Sequence, residues 1–194
     1  KGDHLNLGVG GWPSVGRSLR AELNSYTASQ HLDPALLQDH RGYHLPLRDA
    51  GSAAFDGRVA LVGDAAGLID PLSGEGIGNA IRSGGIAAEA VARLLAGEVG
   101  DLLCYQLALE RRIEPELQVA RQLQALFHQR PWPYVQMLQR SGRFWRVFCH
   151  IIRGEQTYAG FKSRLGPLAR VLDLAAARAE GRMMRDSGWA SSPV

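Results

Sequence analysis

The stretch VALVGDAAGLIDPLSGEGIGNA, Val59 to Ala80, sets an apolar run, a carboxylate and a glycine-opened segment close together in the chain. Those residue types at that spacing suit recognition of a nucleotide-like ligand. Asp64 supplies an acceptor for ligand hydroxyls just after the run Val59-Ala60-Leu61-Val62 stops at Gly63. Gly74, Gly76 and Gly78 let a ligand approach the backbone, and a helix beginning there offers free N–H groups and the positive end of its dipole. The elements that must hold these groups follow from periodicity. Val59 to Val62 reads as a short strand buried on both faces of a parallel sheet, with Asp64 at the ligand-collecting carboxyl end. Ala80, Ile81, Ala87, Ala88, Val91, Leu94 and Leu95 read as a small-residue helix packed closely on that sheet and stopping near Gly97. A plainer alternative makes Asp64 the cap of the following helix.

The string Gly63-Asp64-Ala65-Ala66-Gly67, then Pro71, then Gly74-Glu75-Gly76-Ile77 and later Arg82-Ser83-Gly84 resembles the second FAD-binding motif of flavoprotein oxidoreductases built like p-hydroxybenzoate hydroxylase. Within that group it is most similar to the geranylgeranyl reductase family. The resemblance implies an α/β fold: the C-terminal part of a two-domain, Rossmann-like FAD flavoprotein with a mostly helical C-terminal region. It implies FAD as cofactor, held by Gly63, Asp64, Ala65, Pro71, Gly74, Gly76 and Ile77. Asp64 would bond the ribityl chain, and the amides of Gly76 and Ile77 would face the pyrimidine end of the flavin. The implied reaction reduces double bonds in a polyprenyl (geranylgeranyl) lipid or prenyl diphosphate, with electrons from NAD(P)H or a ferredoxin-like donor. A reduced flavin is negative at its N1 and O2 edge, so Glu75 is expected to face solvent or cap the helix rather than point inward. No residue stands out as a proton donor. The alternatives are a monooxygenase or halogenase of the same superfamily, and a non-catalytic lipid- or membrane-associated module.

FAD enzymes of this kind open with a strand, G-x-G-x-x-G and a helix, and Gly8-Val9-Gly10-Gly11 lacks the third glycine at the required offset. Leu5, Leu7 and Val9 alternate with Asn6 and Gly8, so residues 4 to 10 read as a half-buried strand. The resemblance places Gly8 and Gly10 in the substrate pocket; the plain reading is a glycine-weakened strand end. The chain is thus expected to be a C-terminal piece of a longer cytoplasmic enzyme, inactive alone and unable to hold FAD stoichiometrically.

Cys104 and Cys149 lie far apart without C-x-x-C spacing and read as small buried hydrophobes. Two thiols cannot ligate the four-thiolate iron–sulfur cluster of quinone-linked electron-transfer flavoproteins. Of the six histidines only His40 and His44 stand four apart, and they flank Gly42 in a stretch without helical periodicity, so no metal is expected. Net charge is divided unevenly. Residues 1 to 110 hold 8 basic and 13 acidic side chains (−5), and residues 111 to 194 hold 14 and 6 (+8). Aromatics interleave with the arginines of the second part, a pattern of solvated amphipathic helices or of contact with an anionic surface. A lipid-handling enzyme points to a peripheral membrane contact and not to nucleic acid. No apolar run reaches the roughly 18 residues that span a bilayer.

Along the chain, residues 1–48 read as the end of a substrate-binding domain, 49–100 as a strand and helix of the FAD domain, and 101–194 as a helical region. Within the first, a helix is expected from Pro13-Ser14 through Leu19, Leu23 and Tyr26, a short turn at Leu32-Asp33-Pro34, and an extended crossing at Gly42 to Arg48. Asp101 reads as the cap of a long helix interrupted by Pro115. Further helices are expected over roughly 134–153 and 165–185, with 187–194 as a frayed end.

Overall fold

A computed structural model describes residues 4–11 and 18–186. One unit takes in the described residues up to His44 and those from Met184 on; the other is Leu45–Met183.

In the first unit, helix α1 (Leu19–Ser29) buries Thr27, whose hydroxyl donates to the Leu23 carbonyl one turn back at 2.6 Å. A 3-10 turn at Pro34–Leu36 follows, opened by the Asp33 carboxylate accepting from Ala35 N at 2.9 Å. That is the short turn the Asp-Pro pair foretells. Residues 4 to 10 form no strand and lie mostly exposed, because no neighbouring chain pairs with their backbone. The helical start expected at Pro13-Ser14 falls on residues outside the described ones, as does the stretch 187–194.

The second unit is built of helices around a small hairpin, and the described residues are mostly helical. Strands β1 (Phe55–Asp56) and β2 (Val59–Ala60) pair antiparallel across the turn at Gly57-Arg58. The expected buried strand of a parallel sheet is therefore a two-residue hairpin arm, with Val59 63% exposed and Leu61 and Val62 open to solvent. Apolar content alone cannot separate a strand enclosed by a sheet from one lying on a surface. The crossing segment at Leu47 is extended as expected and pairs antiparallel with Leu68. Helix α2 (Ile77–Leu95) ends as read, with Gly97 at a φ of +73°.

The N-cap of α3 (Leu103–Arg112) is Leu102 and not Asp101, which stands one residue before it and accepts from Leu103 N at 2.9 Å; α4 (Glu114–Gln129) restarts with Pro115 in its first turn. Proline lacks the N–H that a first turn leaves unbonded in any case, so the interruption becomes a clean helix start. Between them Ile113 is fully buried and joins Ala54, Leu68, Ile86, Leu102, Tyr105, Leu109 and Leu117 in one core. The helix expected over 134–153 is broken at Ser141 into α5 (Pro131–Arg140) and α6 (Gly142–Ile152), Ser141 Oγ accepting from Phe144 N. Helix α7 (Tyr158–Arg164) lies between the two helices expected over 134–153 and 165–185, started by Thr157 Oγ1 accepting from Gly160 N; α8 (Leu168–Asp186) is the last described element.

Three charged side chains tie the unit together. Arg48 is buried, its Nε 3.8 Å from Glu114 Oε2, and its guanidinium donates to the carbonyls of Ala66 and Ser52. Arg121 donates to the other Glu114 oxygen and, at 3.1 Å, to the Arg48 carbonyl. One carboxylate thus holds two cations that arrive from the crossing segment and from α4. Removing one partner of a buried pair strands the other without water, at about 3–5 kcal/mol, whereas replacing the pair with apolar groups is often neutral. Glu114→Ala is accordingly expected to lose up to about 3–5 kcal/mol of unfolding free energy in urea, and Arg48→Met combined with Glu114→Leu, which still leaves Arg121 without its carboxylate, to regain part of it. Full stability in Glu114→Ala would show that the network contributes nothing.

Candidate functional site

The turn after β2 is a 3-10 helix, Gly63–Ala66, and it folds against the first turn of α2. Gly63 N donates to the buried Ser83 hydroxyl at 3.0 Å, which itself donates to the Ala80 carbonyl at 3.1 Å. Asn79 donates to the Leu68 carbonyl at 2.7 Å and accepts from Arg82 at 2.5 Å. Ser83 and Asn79 are therefore the braces that fix where the turn sits on the helix, Arg82 steadying Asn79 from the next turn of the same helix. Gly67 is pressed against the crossing segment: a Cβ there would stand 2.8 Å from Arg48 N, and its carbonyl accepts from that same N at 3.0 Å.

This packing brings Asp64 to the helix start. A Cβ on Gly76 would lie 2.7 Å from Asp64 Oδ1, so carboxylate and glycine backbone share one small space. Gly76 has a φ of −122°, which any residue adopts; what requires glycine is the close approach. Helix α2 has no side-chain cap and no acidic residue in its first turn, leaving its leading N–H groups without a side-chain acceptor. Asp64 thus stands near the helix without capping it, and its carboxylate is exposed. Ile77 and Glu75 are also exposed, Glu75 facing solvent as one of its two expected dispositions.

Between these two elements the residues 70–75 close into a braced loop. Asp70 Oδ1 accepts from Leu72 N at 2.8 Å and Ser73 N at 3.0 Å; Asp70 N donates to the Glu75 carbonyl at 2.8 Å. Gly74 turns the chain at a φ of +74°. The helical region grips this loop from outside. Gln124 on α4 donates to the Pro71 carbonyl at 2.7 Å, and Tyr158 on α7 sets its phenol beside the side chains of Asp70 and Ser73. Glu116 fixes Tyr158 in turn, accepting from Tyr158 N at 2.7 Å and from Ala159 N. Burial, with the Asp70 carboxylate next in effect, raises the Tyr158 pKa far above the ordinary phenol value. On α3, Tyr105 donates to the Leu61 carbonyl at 2.6 Å, and Gln106 accepts from Ala54 N at 2.9 Å, fixing the hairpin that leads into the turn.

The structure therefore gathers Gly63, Asp64, Ala65, Pro71, Gly74, Gly76 and Ile77 into one turn-loop-helix corner. Gly8 and Gly10 belong to the other unit, are exposed, and have open space where a Cβ would stand. Among the described residues no group of three or more histidine, cysteine or carboxylate side chains is arranged to hold a metal. Cys104 and Cys149 are free and half-buried. Tyr158, Gln124, Glu116 and Arg48 escape sequence reading because their partners lie 18 to 88 residues away; glutamines and arginines in helical periodicity read as solvated faces.

A tyrosine whose folded pKa is raised stabilises the fold in full below its unfolded pKa of about 10, and the contribution is lost as pH climbs past that value toward the folded pKa. Unfolding free energy is expected to fall from about pH 10 upward, and Tyr158→Phe to lessen that fall, the raised Tyr105 keeping the remainder. Identical alkaline profiles for the two proteins would remove the phenol from the loop's support.

No protein-family model, curated protein or solved structure matches the chain, which leaves its own residues and their geometry to carry the functional assignment.

Proposed function

We propose that the chain forms the C-terminal part of a two-domain, FAD-dependent oxidoreductase that reduces double bonds of a polyprenyl chain, the Asp64–Gly76 corner being its flavin site. The observation that carries the reading is the contact itself: a hydroxyl-accepting carboxylate lies against the glycine that opens an uncapped helix. The corner fits the group. Asp64 suits a ribityl hydroxyl, the amides of Gly76 and Ile77 suit the electron-rich pyrimidine edge, and the missing side chain at Gly76 is what lets the Asp64 carboxylate stand against the helix start. Flavin, when bound, supplies the hydride and electron chemistry. The chain's own groups orient and polarise. The helix start favours negative charge at that edge, and the braced 70–75 loop keeps Pro71 beside it without an entropy cost on binding.

Surface supports the same architecture. Helix α2 carries a second stripe opposite its packed face, with Ile77 71%, Ile81 71% and Leu95 78% exposed. The stripe, with Leu61 and Val62, has the character of a face made to pack on a sheet of the full FAD domain. Gly8 and Gly10, free of neighbours at Cβ, would let backbone approach a prenyl chain.

The protein as its gene encodes it, reduced with dithionite and given geranylgeranyl-bearing substrates, is expected to add a hydrogen pair per double bond by mass spectrometry. Oxygen-dependent hydroxylation or halogenation of an aromatic compound, with no hydrogen gain, would move the assignment to the monooxygenase branch. Asp64→Ala is expected to weaken FAD binding about 10- to 150-fold in a fluorescence titration, as loss of a hydrogen bond to a charged acceptor should. Unchanged affinity in the folded variant would take Asp64 out of the site.

A further inference from the structure

Helices α5 and α6 stand apart from the rest of the second unit in burying no residue, although α6 is strongly two-faced. At 100° per residue, Phe144, Phe148, Ile152 and Trp145 fall within a sector of about 100°. These four are exposed, Trp145 to 52% and Ile152 to 54%. The half-buried flank of Val147 and Ile151 turns inward, Ile151 packing on the cluster of Val119, Ala120 and Tyr158. The remaining sector holds Arg143, Arg146, His150 and Arg153, each exposed. With Arg164 of α7, three of these line a concavity of about 480 Å³. From residue 130 to 164 the chain has seven lysines and arginines and one carboxylate, Glu155, which sits 2.5 Å from His150.

We propose that α6, with the exposed Trp132 at the start of α5, is the surface by which the protein lies on an anionic lipid bilayer. The apolar sector enters the acyl boundary while the arginines reach headgroup phosphates, an in-plane arrangement that a strongly amphipathic cationic helix favours. Charge selects this occupant. A cationic face with one carboxylate is complementary to phosphate, and four neighbouring aromatic and aliphatic side chains gain from hydrocarbon rather than from a nucleic-acid backbone. No described helix is long and apolar enough to cross a membrane, so the contact is one of surface. Neither step draws on the flavin reading.

Flotation of the protein with vesicles tests it. Strong binding is expected to phosphatidylcholine vesicles containing about one-third phosphatidylglycerol, weak binding to phosphatidylcholine alone, and loss of the difference in high salt. Arg143→Gln with Arg146→Gln, both exposed and away from the core, is expected to lower the affinity about 30-fold. Trp145→Ser should lower it as well and reduce, without abolishing, the blue shift of tryptophan emission on binding, Trp132 still entering the interface. Equal binding to both vesicle types, or indifference to salt and to both variants, overturns the proposal. So does a concentration-dependent dimer that Trp145→Ser dissolves in a protein that ignores vesicles, which would give the face to a second copy. The wild-type salt and lipid comparison stands even where a variant fails to fold, and vesicle binding succeeds or fails whether or not the protein takes up FAD.

Discussion

The Asp64 corner is tied to the helical region by one half-buried carboxylate shared by two arginines. Glu114 opens α4 and receives Arg48 from the crossing segment and Arg121 from a later turn of the same helix. Because Arg48 also donates to the Ala66 carbonyl and its backbone bonds Gly67, the ion network reaches the 3-10 turn that carries Asp64. Three elements far apart in sequence are placed against each other by groups that cannot be left unpaired away from water. Apolar burial supplies bulk stability here, as in any domain, but it is non-directional. The arginine network and the Asn79 and Ser83 bonds supply the direction.

The site is a balance of constraint and exposure. Turn and loop are held from three sides: by α2 through Ser83 and Asn79, by α4 through Gln124, and by α7 through Tyr158. The side chain of Asp64 and the first turn of α2 are left uncovered and uncapped within that frame. A helix start without a cap forgoes stabilisation of about 1 kcal/mol, and pre-organised donors of this kind bind an anionic or electron-rich edge with little further ordering. The helical region thereby acquires a mechanical role that a division into FAD strand-helix and separate helical tail does not foresee. Its tyrosine and glutamine hold the loop, and its first helix shares one core with Ala54, Leu68 and Ile86.

Local signals were legible and nonlocal ones were not. Gly97 ending α2, Asp33-Pro34 starting a turn, Asp101 just ahead of α3 and Pro115 restarting α4 each act within a few residues, where backbone sterics and capping decide. The meeting of Asp64 with Gly76 was readable as a motif, since turn and helix start are twelve residues apart. Val59 to Val62 misled because an apolar run carries no statement of what covers it, and residues 4 to 10 because alternation makes a strand only where a partner strand exists. The break at Ser141 was masked by apolar periodicity continuing through it, although serine before glycine is an ordinary helix start. Arg48 and Tyr158 were hidden for a different reason: a buried arginine or tyrosine is marked by partners, not by its neighbours in the chain.

The central claim is that a flavin edge meets the start of α2 beside Asp64, and amide hydrogen exchange of the protein as its gene encodes it, with and without FAD, reads that place directly. The account predicts slowed exchange at the amides of Gly76, Ile77 and Gly78, with Asp64→Ala reducing the protection. Unchanged exchange there, with protection by FAD at the arginine-lined concavity of α6 and α7 instead, would contradict it.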